Sequence, residues 1–395
     1  MMAQVESDTC RFLSYNALKF DYTGNGKEEH IRTILAAYDP DVFVIQELMD
    51  ASGASRFLDS VVRVVDPNYA MAEFVEGYDT DNGLFYDATK YTCIANTPII
   101  TELRNINQFH MRHLEAGEEF YIYSVHLKAS SGGENAAQRK REVDSLRKYT
   151  ALLPEGAYYW VSGDFNMYGS YEEGYAALVD DASSGYFVDL LADSLTSTWN
   201  NAVNARFHTQ STRLDAFGGG ATGGMDDRFD MILCAPDLID GDSMYIIAPS
   251  LKPLGNDGLR YNQTINEPTN MAVSEALADA LYFASDHIPI TASFVFQFYV
   301  PEDTTQDTTI LQIAADVPVI QLYPNPADAH VEISTGQVID AWWIHDAAGR
   351  EILHSGNPAT ETRLWIALPA DLAPGIYVFS GYSGGRSFEC RFIKK

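Results

Sequence analysis

The chain has 395 residues, 46% of them hydrophobic, which supplies sizeable cores and a soft expectation of two or three domains. Its 26 Lys and Arg against 55 Asp and Glu leave a net charge of −29. That excludes nucleic-acid binding through a broad basic surface, and phosphate chemistry in such a chain calls for a bound divalent cation.

No apolar run approaches the roughly 18 residues that span a membrane. The opening segment, Met1 to Asp8, carries neither a basic nor an apolar stretch of the kind that directs secretion. Cys10 to Leu18 reads as a short strand. Lys27 to Tyr38 places Ile31, Ile34, Leu35 and Tyr38 on one helical face. Pro40 then ends that helix and opens a buried strand, Asp41 to Glu47. Leu84 to Tyr86 and Thr92 to Ile94 flank Asp87-Ala-Thr-Lys90 and read as a hairpin. Tyr121 to Leu127 is a strand, and Asn135 to Leu153 is a helix with Val143, Leu146, Thr150 and Leu153 on one face. Tyr158 to Ser162 and Phe229 to Ala235 are further apolar strands, and Ile288 to Phe296 alternates with period two.

Asn200 to Asp227, with Gly218-Gly-Gly220 and Gly223-Gly224, reads as a long surface loop. Cys10, Cys93, Cys234 and Cys390 lack CxxC spacing and read as separate small core residues, with one disulfide left open for an exported chain. Strands mixed with helices and hairpins predict an α+β domain over 1–297, its mixed sheet covered by helices. A polar linker covers 298–318. From 319 to 395, short alternating strands broken at Asn325-Pro326, Ala348-Gly349, Gly356-Asn357 and Gly384-Gly385 predict a small all-β sandwich.

Polar residues stand at the ends of the apolar strands: Ser14-Tyr-Asn16, Gln46-Glu47, Ser124-Val-His126-Leu-Lys128, Gly163-Asp-Phe-Asn166, Arg228-Phe-Asp230 and Ser285-Asp-His287. Strand ends are where a rigid scaffold presents side chains to a cleft. Asp164 and Asn166 are two apart and project to one side of an extended segment, as do Arg228 and Asp230, and His126 and Lys128. Asp286 and His287 are adjacent, so they share a site only if they occupy a turn.

In this order, the six elements resemble the endonuclease/exonuclease/phosphatase superfamily, which includes deoxyribonuclease I-like nucleases, abasic-site endonucleases, sphingomyelinases and inositol polyphosphate phosphatases. The resemblance covers about residues 10 to 297. It implies a four-layer sandwich of two mixed β-sheets between helices, and metal-dependent hydrolysis of phosphate esters. By that resemblance Glu47 is the principal Mg²⁺ ligand, with Mn²⁺ or Ca²⁺ as other cations, and Asn16 and Asp286 complete or flank the site. Asp164 orients or deprotonates the attacking water and Asn166 fixes a phosphate oxygen. His287 is the acid/base, oriented by Asp230, and His126 donates to the leaving oxygen or a phosphate oxygen. In-line attack needs those parts: a positioned water, neutralised oxygens and help for the departing alkoxide.

Lys128, Arg139, Arg213 and Arg228 are candidate substrate contacts. Each also has a plainer reading: Arg228 first as a structural salt bridge, Lys128 as a strand-end charge, Arg139 as part of a solvated helix face. His208 and Arg213, beside the Gly-rich stretch, are divided between a substrate-gating loop and a structural role.

The tail, Leu322-Tyr-Pro-Asn-Pro326, then Asp346-Ala-Ala-Gly-Arg-Glu-Ile352, then Leu372-Ala-Pro-Gly-Ile-Tyr-Val378, resembles the type IX secretion sorting domain. That implies the secretion machinery as a partner and a secreted or cell-surface protein, with no catalysis in the tail and no stable membrane insertion. The signal peptide that type IX substrates also need is not visible at Met1 to Asp8, so the tail sets the expected location. The expected function is a secreted metal-dependent nuclease with nucleic acid as substrate. A phosphomonoesterase or phospholipase on small or lipid phosphoesters, and a non-catalytic surface-binding protein, are the alternatives.

Overall fold

Alternation along the central strands builds the cores. The computed structural model describes residues 3–301 and, beyond them, 321–323, 327–334, 338–339, 341–346, 350–355, 363–369, 372–383 and 386–395. The chain divides into two units, Met1–Asp303 and Thr304–Lys395.

The strands of the first unit begin with β1 (Ala3–Phe20), β2 (Val42–Leu48), β3 (Tyr69–Met71), β4 (Asp81–Asp87), β5 (Tyr91–Ile99) and β6 (Ile106–His113). They continue as β7 (Glu119–His126), β8 (Tyr158–Asp164), β9 (Asp230–Cys234), β10 (Met244–Ile246), β11 (Lys252–Pro253) and β12 (Ile290–Pro301). Its helices are α1 (Glu28–Tyr38), α2 (Ala51–Phe57), α3 (Arg63–Val65), α4 (Gly133–Thr150), α5 (Glu173–Val179) and α6 (Glu275–Ala284). One sheet runs β10-β12-β1-β2-β4-β3 with β11 beside β12, and the other runs β5-β6-β7-β8-β9. Both are mixed, because β1 lies parallel to β2 and β7 parallel to β8 while their other neighbours are antiparallel.

Successive residues of one strand serve two cores. Phe12 and Val44 face Ile122 and Trp160 of the second sheet, whereas Leu13, Tyr15, Phe43 and Ile45 face Ile31, Ile34 and Leu281 of α1 and α6. On the other side Tyr123, Val125 and Val161 pack against Val143 and Leu146 of α4 and Leu178 of α5. Each such buried side chain contributes about 1.5–3 kcal/mol. The result is four layers, helices on two mixed sheets on helices, as the resemblance implies.

Three expectations change. β1 is 18 residues long, not a short strand, because Ala3 to Asp8 pair with Phe296 to Pro301. The expected hairpin around Asp87 to Lys90 does not form: β4 pairs with β2 and β3, while β5 pairs with β6 in the other sheet. The turn therefore carries the chain from one sheet to the other. Asn200 to Asp227 is only partly a surface loop: Phe217 is exposed and Gly218 to Gly220 lie at the surface, but Asn204 and His208 to Arg213 include residues as deeply buried as the core.

Cys10, Cys93 and Cys234 are free thiols, Cys10 and Cys234 in the core between the sheets. Among the described residues no helix is long and apolar enough to cross a membrane.

The second unit holds two antiparallel sheets. One has β13 (Gln321–Tyr323), β14 (His330–Ser334) and β17 (Arg363–Ala367); the other has β15 (Ala341–Asp346), β16 (Glu351–His354), β18 (Gly375–Ser383) and β19 (Arg386–Lys394). Val331, Ile333, Ile344, Phe379 and Phe392 share one apolar core, as a small sandwich requires. Most of the expected linker, and the Asn325-Pro326, Ala348-Gly349, Gly356-Asn357 and Gly384-Gly385 breaks, lie outside the described residues; 298–301 belong to β12.

Candidate active site

On three strands one face passes from apolar to serine to a polar site residue in steps of two. β1 runs Phe12, Ser14, Asn16; β7 runs Ile122, Ser124, His126; β8 runs Trp160, Ser162, Asp164. Because strand side chains alternate, all three residues enter the gap between the sheets just beyond its apolar core. Gln46 of β2 lies in the serine layer, donating to Ser14 Oγ (3.3 Å) and Ser124 Oγ (3.0 Å). In the second sheet His126 stands opposite Asp164, and Asp164 opposite Asp230.

Glu47 reaches the gap through its backbone. The β1–β2 register holds as far as Asn16↔Gln46 and resumes only at Phe20↔Leu48. Within that bulge Leu18 (φ 50°), Lys19 (φ 53°) and Glu47 (φ 62°) are left-handed, which costs of order 1–3 kcal/mol per residue. The amides so turned serve the site: Leu18 N–H donates to Asn16 Oδ1 and Lys19 N–H to Glu47 Oε2, each at 3.0 Å. Below Asp164, Gly163 (φ 134°) has no room for a Cβ, which would lie 2.0 Å from the Val125 carbonyl oxygen.

Asn16 Nδ2 donates to both Glu47 Oε1 (3.0 Å) and Asp164 Oδ2 (3.1 Å). His126 Nε2 faces the same two oxygens at 3.8 and 3.6 Å. His287 Nε2 lies 3.6 Å from Asp164 Oδ2, and its Nδ1 donates to Asp230 Oδ2 at 2.7 Å. Ser285 Oγ donates to the Asn16 carbonyl (2.7 Å), which pins the turn before β12 against β1. Within that turn Asp286 and His287 both meet the side-chain amide of Gln210, at 3.1 Å for Asp286 Oδ2. Ala221 N–H closes on Asp286 Oδ2 at 2.6 Å. Asn166 gives its backbone N–H to Asp164 Oδ1 (3.0 Å) and its side-chain amide to the Leu127 carbonyl (3.2 Å).

The two histidines titrate in opposite directions. Burial opposes charge on His287, yet Asp230, Asp164 and Asp286 together hold its imidazole well above the usual histidine range. For His126, burial and the charges of Arg104 and His287 hold it well below that range. Burial pushes the Asp164 carboxyl up to about 7 against the opposing field of His287, with Asp230 and Glu47 adding to the rise. Near neutral pH the site therefore presents one charged imidazole and one neutral one.

Three candidate substrate contacts are turned inward. Arg139 is bidentate with Glu172 (2.8 Å each) and also donates to the Lys128 and Ser130 carbonyls. Arg228 is bidentate with Asp189 at 2.9 and 3.0 Å, which is its plainer reading. Arg213 donates to the carbonyls of Phe217, Gly219 and Tyr282 and so holds the base of the Gly-rich stretch. Each is 1% exposed and finds several acceptors inside the protein, although Arg213 Nε and Arg228 Nε make no hydrogen bond. Lys128 is half-buried, with Nζ on the Ala129 carbonyl (3.1 Å). His208 is buried against the Trp199 carbonyl (2.8 Å).

Sequence reasoning missed Gln210, Lys27, Arg104 and Asp227. Burial and Asp226 push Asp227 up to about 7 against His287, and burial with Arg213 pushes Lys27 down to about 8. Gln210 and Asp227 lie in the segment read as surface loop, and Lys27 was read as the first residue of a helix; none of the three positions carried a signal.

Mg²⁺ takes hard oxygen donors and needs only one or two carboxylates, keeping waters for the rest. Glu47 Oε1 fits that demand as the carboxylate donor, with Asp164 Oδ2 close enough to hold a cation-bound water, because a single donor atom, Asn16 Nδ2, already reaches both. Among the described residues no three His, Cys, Asp or Glu side chains form a closed cage, so water would complete the shell.

No protein-family model matches the chain, and no curated protein matches it. Among solved structures, D. rerio TDP2 complexed with a single-strand DNA product is 16% identical, covering 73% of this chain and 99% of that chain with a TM-score of 0.49. The human Nocturnin catalytic domain with bound sulfate anion is 17% identical, covering 74% and 97%, with a TM-score of 0.47. Mannosyl-6-phosphatase Bt3783 of Bacteroides thetaiotaomicron is 16% identical, covering 73% and 100%, with a TM-score of 0.45. At these values nothing about the substrate of this chain follows from theirs.

Proposed function

We propose that the first unit is a divalent-metal-dependent phosphoester hydrolase. The observation that carries this reading is the convergence of Asn16, His126 and His287 on the buried carboxylate of Asp164, with Glu47 joined to it through Asn16. Glu47 would hold the cation, with Asn16 and Asp286 beside it, and the cation would neutralise charge on the phosphoryl oxygens. Asp164, its carboxyl raised into the neutral range, is suited to orient a water and accept its proton. His287, kept charged and oriented by Asp230, is suited to donate to a phosphoryl or leaving oxygen. His126 Nε2 faces two carboxylate oxygens and so carries the ring proton, making it a neutral donor beside the same Asp164 oxygen.

Cleavage of a nucleic-acid phosphodiester is the first substrate reading. One observation favours a small or lipid phosphoester instead: Arg139, Arg213 and Arg228 are sealed in the interior and cannot track a polyanionic backbone. The test is a panel of DNA, RNA, bis-p-nitrophenyl phosphate and p-nitrophenyl phosphate with Mg²⁺, with and without chelator, against Asp164→Ala. Chelator-sensitive hydrolysis that disappears in Asp164→Ala supports the reading; no metal-dependent hydrolysis of any member overturns it. We propose further that the second unit directs type IX export to the cell surface or medium. Its support is the tail motifs and the two-sheet architecture, and loss of export on deleting residues 304–395 is the check.

A further inference from the structure

We infer that Lys27 is a positioning residue for the cation ligand Glu47, an inference that rests on the metal-centre reading above. The β1 bulge removes Ala17 and Leu18 from the ladder with β2, which resumes only at Phe20. Two carbonyl oxygens would thereby be left without partners in a buried region, a cost of about 1–3 kcal/mol each. Lys27 Nζ, 7% exposed, supplies both partners: it donates to the Ala17 carbonyl at 3.2 Å and to the Leu18 carbonyl. The same peptide units carry the Leu18 and Lys19 amides that grip Asn16 Oδ1 and Glu47 Oε2. One ammonium on the carbonyl side of the bulge thus fixes the two amides on its other side, and through them the orientation of the Asn16 and Glu47 side chains.

The sign of the effect separates positioning from charge. Lys27 sits in the fields of Glu47 and Asp286, so as a mere cation it repels a divalent ion, and neutralising it would tighten metal binding. As a positioning residue its loss weakens binding, by the 10–100-fold typical of groups that orient metal ligands.

The test is calorimetric titration of the full chain with Mn²⁺, which needs no turnover, on the wild type, Lys27→Met, Lys27→Arg and Glu47→Gln. The expected result is binding by the wild type, loss in Glu47→Gln, about 10–100-fold weaker binding in Lys27→Met and near-wild-type affinity in Lys27→Arg. Lys27→Gln, which keeps one uncharged donor, replaces Lys27→Met if that variant does not fold. Hydrogen exchange at the Lys19 amide gives an independent readout and should accelerate in the variant lacking the ammonium. Unchanged or tighter binding in Lys27→Met, with binding still lost in Glu47→Gln, overturns the role of Lys27 and leaves the metal centre standing. Absence of Mn²⁺ binding in the wild type overturns the metal centre itself.

Discussion

His287 Nδ1 and Asp230 Oδ2 stand 2.7 Å apart, both fully buried, at the meeting of the two sheets. The pair fixes which imidazole nitrogen faces Asp164 and sustains charge on the ring. Asp230→Asn keeps the volume but removes the charge, so phosphoesterase activity should fall about 10²–10⁴-fold with little change in the circular dichroism spectrum. Proton NMR of the metal-free protein should show the His287 titration moving down towards the ordinary range.

The Gly-rich stretch touches the candidate site through Gly220. A Cβ there would lie 2.6 Å from Asp286 Cγ, at a φ of 82° that disfavours side chains. Gly220→Ala should lift the loop from Asp286 and reduce kcat/KM about tenfold, while Tm changes little because the loop is exposed.

Asp189 holds the guanidinium of Arg228 far from solvent, and Tyr175 O–H donates to the same carboxylate. Asp189→Asn would leave a buried charge without its counter-ion. Chemical denaturation should show a loss of about 3–5 kcal/mol, with kcat per folded molecule largely retained.

Acid stability depends in part on Asp257. Burial alone would raise its carboxyl, but Arg260 and the Met271 and Leu259 amides outweigh that and hold it down at about 2. Because the folded value lies below the unfolded one, its stabilisation is complete above about pH 4 and disappears as the pH falls through 2. Asp257→Asn should be less stable near neutrality and show a flatter fall of Tm between pH 4 and 2.

Much of the site was legible because strand ends are. The apolar runs leading to Asn16, His126 and Asp164 set both the element and the face, and the polar residue at the end of each had one place to go, while Asp230 opens the apolar run of β9. Glu47 was found by motif, but its route was hidden, since a left-handed residue inside a strand leaves no trace in hydrophobic periodicity. The Asp87–Lys90 turn reads the same whether it closes a hairpin or carries the chain to another sheet; only the pairing of β4 with β2 decides. Arg139 misled for a related reason, whereas Arg228, read first as a structural salt bridge, is one. Arg139 and Arg228 find their acids 33 and 39 positions away, so local charge pattern could not tell solvated cations from sealed ones. Ala3 to Asp8 were left out of the strand read from Cys10, yet as the far end of a long antiparallel pair they needed only backbone partners.

The proposed catalytic set is divided between the sheets: β1, β2 and the turn before β12 supply Asn16, Glu47, Asp286 and His287, while β7, β8 and β9 supply His126, Asp164 and Asp230. Neither sheet is competent by itself. Turnover thus doubles as a gauge of assembly, sensitive to sub-ångström sliding of one half against the other that spectroscopic helix content would never register. Splitting the chain between β6 and β7 should give fragments that are silent apart and active only once reunited.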